Sequence, residues 1–369
     1  MSRNRPRRRP RRRSRLLLPL LVLALVGALA ACGDTTPSGE QPTTAARPVT
    51  IRLLTHDSFA LSDGLLAGFT KRTGIKVELI KGGDAGTVVN QAILTKGSPQ
   101  ADVLFGIDST FLSRALDEDI FVPFEAGDLD QVDDQFVLDP QHRVTPIDYG
   151  DVCLNYDKAY FAKANIPVPT SLDDLVKPAY KDLLVVENPA TSSPGLAFLL
   201  ATVDAFGQDG WQSWWAKLRA NGVQVSNGWE DAYYSQFSGG SSSEGTRPLV
   251  VSYSSSPAAE VVYADPPVTE APTGVVTAGC YRQVEAAGIL AGTKHRGEAG
   301  QLIDFLLSPE VQADVPLSMF VYPVRRGTTL PAVFLDNAAT PRSVASLSPA
   351  TVGAHRDQWI SAWTDLVVR

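Results

Sequence analysis

Residues 49–108 decide the fold: VTIRLLTHDSFALSDGLLAGFTKRTGIKVELIKGGDAGTVVNQAILTKGSPQADVLFGID. Three short runs rich in Val, Ile and Leu lie within it, at 49–56, 75–83 and 101–108. Each is bounded by Gly, Asp, Ser or Pro, and each is predicted as a strand. Between the first two, 62–74 predicts a helix opened by a Ser62/Asp63 cap and closed by Gly74. Between the second and third, Asp84 and Thr87 precede the helical run VVNQAILTKG, which ends at Gly97. Strand and helix alternate, so the expected class is α/β, with a mostly parallel sheet covered by helices on both faces.

The rhythm restarts further along. Residues 146–161 contain a strand, and 183–189 is another. Pro194 to Phe206 predicts a helix, and Trp211, Trp214, Trp215 and Leu218 share one helical face, read as core packing. Residues 248–255 and 280–290 are further strands, and 300–308 and 355–369 are helical. The polar run SGGSSSEG at 238–245 is expected as an exposed turn. Two α/β units joined by crossing strands predict two lobes with a cleft.

The N-terminus carries a different message. Residues 1–15 hold nine Arg and no acid, and 16–31 are an uninterrupted apolar run. That run is short of the roughly 20 residues of a spanning helix. A basic segment, an apolar segment and small residues before a cut make a signal peptide over 1–31. Leu29-Ala30-Ala31-Cys32 is similar to a lipobox, which implies lipid on Cys32 and a Thr/Pro/Gly-rich tether over 32–48. The expected place is the cell envelope, on the extracytoplasmic face of the cytoplasmic membrane, held by the lipid alone. Loss of nine Arg takes the formal charge from −7 to −16. An acidic mature chain disfavours nucleic acid and mildly favours cationic ligands. Cys153 and Cys280 are left over, either bridged in an oxidising compartment or free; no CxxC or zinc spacing is present.

Several loop-to-helix junctions carry the candidate chemistry. Thr191-Ser192-Ser193-Pro194-Gly195 and Tyr253-Ser254-Ser255-Ser256-Pro257 each follow a strand and open a helix. Ser caps and Pro suits the first helical position, and free N–H groups there suit an anion such as phosphate. Gly82-Gly83-Asp84-Ala85-Gly86-Thr87 is a Gly-rich turn that matches no nucleotide motif. Trp229, beside the Asn227-Gly228 turn, offers a ring face to a cation. Tyr233-Tyr234 is similar to the twin tyrosines of ferric-ion-binding proteins. No GxSxG or HExxH occurs and the four histidines are scattered, so no enzyme and no cofactor are expected.

These features converge on a family. THDSF (55–59), ADVLFGID (101–108), DYGDVCLNYDK (148–158), NPATSSPGL (188–196), SNGWEDAY (226–233), LVVSYSSSP (249–257), VEAAG (284–288), VYPV (321–324) and QWISAW (358–363) occur in order. Over about 49–366 the chain resembles the thiamine-binding subunits of bacterial ABC importers, which have a type II periplasmic-binding-protein fold. The resemblance implies one lobe of 49–148 with about 284–325, and a second of 149–283 with about 326–369. It implies ligand contacts at His56, Asp84, Ala85, Ser192, Ser193, Trp229 and Tyr253 through Ser256, namely Tyr253, Ser254, Ser255 and Ser256. Trp229 is expected to stack near the thiazolium–pyrimidine part and the serines to meet the hydroxyethyl end or its phosphates. Asp84, by its chemistry, suits the aminopyrimidine amine. The chain departs from the family at three aromatic positions, now His56, Ala259 and Phe320. The implied partners of this single-copy protein are thiamine or its phosphates, an ABC permease and its ATPase subunit. The implied fold places Cys153 and Cys280 on the two crossing strands. The alternative ligand is ferric ion or another cationic solute.

Overall fold

The computed structural model describes residues 49–369 apart from Ser242. The signal peptide over 1–31, the lipidation at Cys32 and the tether to residue 48 lie outside the described residues. The first half is β1 (Val49–Thr55), α1 (Leu65–Thr73), β2 (Ile75–Lys81), α2 (Ala85–Leu94), β3 (Val103–Asp108), α3 (Leu112–Asp117), β4 (Phe121–Val122) and β5 (Thr145–Asp157). Next come α4 (Lys158–Ala164), β6 (Leu184–Glu187), α5 (Ser193–Ala220), β7 (Gln224–Ser226), β8 (Leu249–Tyr253), α6 (Ser256–Val262) and β9 (Thr273–Leu290). The chain closes with α7 (Arg296–Leu306), α8 (Pro309–Ser318), β10 (Tyr322–Pro323), α9 (Ala332–Asn337) and α10 (Pro349–Val367).

The strands form one sheet in the order β2-β1-β3-β9-β5-β8-β6-β7, with β10 on β5 and β4 on β9. The two ends of the sheet are parallel, β2-β1-β3 on one side and β8-β6-β7 on the other. The centre is not. The pairs β3–β9, β9–β5 and β5–β8 are antiparallel, so the sheet is mixed rather than mostly parallel. Strand–helix rhythm reports parallel pairing only where a crossover helix links neighbours in the same direction. β5 and β9 are distant in sequence and pair directly over 13 and 18 residues, so no local rhythm announces them.

Other elements follow their sequence closely. The tryptophan stripe is core: Trp211, Trp214, Trp215 and Leu218 are all buried. The α5 backbone leaves helical geometry at Gly207, one residue past the predicted end at Phe206. Trp215 meets Trp363 of α10 edge-to-face with centroids 5.4 Å apart. α10 packs against both α5 and α3. Helix α1 starts later than the Ser62/Asp63 cap suggests. Gly64 adopts φ 93, which breaks helical geometry, and Ser62 instead gives its N–H to Asp314 of α8 at 2.9 Å. Cys153 of β5 and Cys280 of β9 form a disulfide where the register between these strands shifts.

Candidate ligand cleft

A cavity of about 370 Å³ opens between the two parallel ends of the sheet. Its two sides are built in different ways.

One side is aromatic. Strand β7 ends at Ser226, and the Asn227-Gly228 turn delivers Trp229 into the cavity. Its backbone N–H donates to Asp84 Oδ2 at 2.8 Å, and its indole Nε1–H donates to Ser252 Oγ at 2.8 Å. One face of the indole stacks on Tyr233, with centroids 5.0 Å apart and planes 22° from parallel. Ser252 Oγ shares a hydrogen bond with Ser256 Oγ at 2.8 Å, and Ser256 Oγ also accepts from the Tyr253 N–H at 3.2 Å. The serine run after β8 therefore braces the indole. Tyr253 lies over Gly150, where a Cβ would come within 2.6 Å of the ring, so only glycine leaves room. The ring locks in one orientation before any ligand arrives, which cuts the entropy cost of binding.

The other side is acidic. Glu285 of β9 lies opposite Asp108 of β3 and opposite Asp148 of β5 at the same register position. Three carboxyls thus stand in a row across three adjacent strands. His56, just past β1, places Nε2 3.2 Å from Glu285 Oε1. Gly106, at φ 100 on a bulge of β3, admits that ring: a Cβ there would lie 2.5 Å from His56 Cδ2. Burial of charge without full pairing shifts titration. Asp108 is pushed up to about 6 by burial, against the hydrogen bonds from Ser193 and Thr110 that favour its charged form. Burial, then the neighbouring Glu285, holds Asp148 well above the usual carboxylate range. Burial also raises Asp84, although the Trp229 and Ala85 N–H groups oppose it. For His56, burial pulls downward, but Glu285 with Asp84 and Asp57 behind it together raise the imidazole above its usual value. Five carboxyl side chains line the cavity, from Asp57, Asp84, Asp148, Glu230 and Glu285, against His56 and Lys81. The balance favours a cationic guest.

Of the residues expected from sequence, His56, Asp84, Ala85, Ser193, Trp229, Tyr253 and Ser256 line this cavity. Ser192, Ser254 and Ser255 are fully buried and do not line it. Ser192 caps α5 through the Gly195 N–H, and Ser255 Oγ donates to the Phe320 carbonyl at 2.5 Å. Ser193 donates to the Asp108 carboxyl. The Ser192, Ser193, Ser255 and Ser256 hydroxyls are thus spent on the protein itself, and Ser254 Oγ is buried without a partner and out of reach of the cavity. Ala259 and Phe320, the other two departures from the family pattern, both line the cavity, as His56 does. Phe320 takes φ 55, a left-handed backbone rare for an aromatic residue, and its ring meets Tyr263. Sequence reading passed over Asp108, Asp148 and Glu285. Asp108 and Glu285 are lone acids within their strands and Asp148 is one of three in β5, and a buried acid in a strand was the signal available.

The tyrosine pair does not resemble an iron site. Tyr233 is packed under Trp229, and burial, then the nearby Glu260, raises its hydroxyl well above the usual range, whereas iron(III) takes phenolate. Among the described residues, no group of three or more His, Cys, Asp or Glu gathers as a metal site.

Comparison with known proteins agrees with this geometry. Residues 98–345 match the bacterial extracellular solute-binding protein family. The chain is 32% identical over 340 residues to the thiamine-binding periplasmic protein of Escherichia coli (strain K12), covering 88% of this chain and 95% of that one. It is 26% identical to the protein of the same name from Brucella suis, covering 85% and 91%. A solved periplasmic thiamin binding protein superposes with a TM-score of 0.74 at 28% identity, covering 87% of this chain and 96% of that one. Iron-bound HitA from Pseudomonas aeruginosa shares the fold, with a TM-score of 0.68 at 22% identity. The fold, the cleft and these matches place the chain in the bacterial extracellular solute-binding protein family, whose members bind solutes and do not catalyse.

Proposed function

We propose that this chain captures thiamine outside the cytoplasm and hands it to an ABC importer. The observation that carries the reading is the pairing of a braced indole with the carboxyls of Asp84, Asp148 and Glu285 in one cavity. Thiamine is a flat, permanently charged heteroaromatic cation. Trp229 offers it a ring face, worth about 1–2 kcal/mol when partly desolvated. Asp84 is fixed by two backbone N–H groups and keeps lone pairs for the aminopyrimidine amine. His56, Tyr253 and Ser256 complete the contacts. The names of the relatives from Escherichia coli and Brucella suis support the same ligand.

The unphosphorylated vitamin suits the cavity best. Of the serines expected to read phosphate, Ser192, Ser193, Ser255 and Ser256 are hydrogen-bonded within the protein and Ser254 is buried away from the cavity, and the carboxylates that line the cavity would oppose an anion. Two lobes, divided at the strands β5 and β9, would close over the ligand. Contacts already cross the cleft: the Thr87 N–H donates to the Thr191 carbonyl at 3.2 Å, and Ser58 Oγ to Glu230 Oε1 at 3.3 Å. A ligand that touches both sides favours the closed state by its differential affinity. The permease with its ATPase then reads that closed state. Lipid on Cys32 would hold the protein at the membrane, and Cys32→Ser should release it to the soluble fraction.

Calorimetric titration of the full chain, held in detergent and unfolded and refolded to strip carried-over ligand, tests the reading. One-to-one binding of thiamine is expected. No heat and no thermal stabilisation from demonstrably refolded protein would overturn the ligand assignment.

A further inference from the structure

The acidic side of the cleft brings two carboxyls and an imidazole together beside the ligand seat. Asp148 of β5 and Glu285 of β9 stand directly opposite each other in the sheet, and both line the cavity. No N–H or hydroxyl donates to Asp148 Oδ2. Two carboxyls bond to each other only when one of them carries a proton. On the far side of Glu285, His56 Nε2 approaches to 3.2 Å and forms an ion pair when the ring is protonated. Both His56 and Asp148 line the cavity, so both protons sit beside the seat of a cationic ligand.

We propose that the Asp148–Glu285–His56 cluster selects its ligand by charge, exchanging a bound proton for the positive charge of the guest. The cluster is a specificity element for a permanently charged cation, and capture is accompanied by proton release. This inference rests on the thiamine reading above.

The chemistry balances without a co-reactant. The empty cleft stores its excess negative charge as a protonated carboxyl beside a protonated imidazole. A cation entering the seat repels the imidazolium proton and stabilises a second carboxylate. One proton leaves to solvent, and the total charge of the site is unchanged. The proton belongs to the coupled cluster rather than to one residue. The carboxyls that face it all push the same way, and Lys81 is the cation that opposes them. Asp108 from β3, Asp84 from the start of α2 and Asp57 raise proton affinity, and Tyr253 from β8 stays protonated in this field. Lys81 lines the same cavity but gives its ammonium to the Asp57 carbonyl at 2.6 Å. A neutral molecule of the same shape gains nothing from such an exchange.

The sign of the linkage follows. Binding that releases a proton tightens as pH rises, by up to about tenfold per pH unit for each proton released. The window lies where His56 and Asp148, both raised, are still protonated in the empty protein.

The test is calorimetry of the refolded full chain with thiamine in two buffers of very different ionisation heat, phosphate and Tris, between about pH 6.5 and 8.5. Wild type should show a binding heat that depends on the buffer and a Kd that falls with pH. Asp148→Asn keeps a hydrogen bond to Glu285 but cannot lose a proton, so its heat should become much less buffer-dependent and its pH slope flatter. His56→Gln should remove the remainder. Tight binding by wild type with buffer-independent heat and a flat pH profile overturns the exchange and leaves the thiamine reading intact. Equal proton release by wild type and both variants assigns the proton elsewhere and also overturns it. Absence of any binding removes the thiamine reading itself, and the inference with it.

Discussion

The two sides of the cleft solve opposite problems. The aromatic side is satisfied within itself: Trp229, Ser252, Ser256 and Tyr233 support one another whether or not a ligand is present. The acidic side crowds like groups together: Asp108, Glu285 and Asp148 stand in one row with His56 beside it, and although Asp108 is held by Ser193 and Thr110, Asp148 Oδ2 has no donor. The first confers shape and readiness. The second costs stability in the empty protein, a cost that a bound cation offsets. Binding proteins tolerate such strain where the ligand relieves it, and a stable scaffold around it makes that possible.

Four experiments would break or sharpen this contrast. The largest effect should come from the staple between β5 and β9, the strands that carry the acidic row. Replacing Cys153 and Cys280 with Ala opens a link of sequence separation 127, and the expected loss is about 3–5 kcal/mol of unfolding free energy. Denaturant titration gives the loss, and thiamine affinity at room temperature should change little. If affinity collapses together with stability, the acidic row depends on the staple and is not an independent element.

The next effect tests the cost of the acidic side. Asp108 holds its proton more tightly folded than unfolded, since burial pushes it up to about 6. A carboxyl raised in this way favours folding at low pH and withdraws that support as pH rises through its folded value. Asp108→Asn does not titrate, and its amide oxygen still accepts from Ser193. Its stability relative to wild type should therefore rise between about pH 4 and pH 7, by up to about 3 kcal/mol. A difference that stays flat over that range would show that Asp108 is not strained.

The third targets the aromatic side. Trp229→Ala should weaken thiamine at least about tenfold, with Trp229→Phe intermediate, if the indole gives a desolvated cation contact. Because the acidic side is untouched, the pH dependence of binding should survive in both variants. Unchanged affinity in the alanine variant would place the ligand elsewhere.

The smallest effect concerns phosphate. With Ser193 bonded to Asp108, Ser256 to Ser252, Ser192 and Ser255 to the backbone and Ser254 buried away from the cavity, thiamine monophosphate should bind no more tightly than thiamine, and the diphosphate a few-fold more weakly, from a modest Coulomb term at partly screened separation. Competition titration ranks the three. A ranking that climbs with phosphate would mean that the junctions at Ser193 and Ser256 rearrange around the ligand.

Much of this molecule was legible in its chain. The residues 49–108 prescribe strand, helix and turn through local periodicity, which a reader can count, and the tryptophan stripe at 211–218 announces its own burial. Trp229, Asp84 and Tyr253 could be named because motif order carries family resemblance. Three features were not legible. The antiparallel centre of the sheet joins β5 to β9 across more than a hundred residues, and pairing over that distance leaves no local pattern. The serine junctions looked alike from outside, but only the folded backbone decides whether a hydroxyl faces a ligand or caps its own helix. Finally, Asp108, Asp148 and Glu285 are unremarkable acids in three separate strands. Strand register alone brings them side by side, and burial in that company raises Asp108 and Asp148 above the usual carboxylate range. The sequence by itself determined most of the helices and strands and the buried tryptophan stripe, because these depend on near neighbours in the chain. The charge state of the cleft is a sum over residues from distant elements at short range in a low dielectric, so only the tertiary structure could decide it.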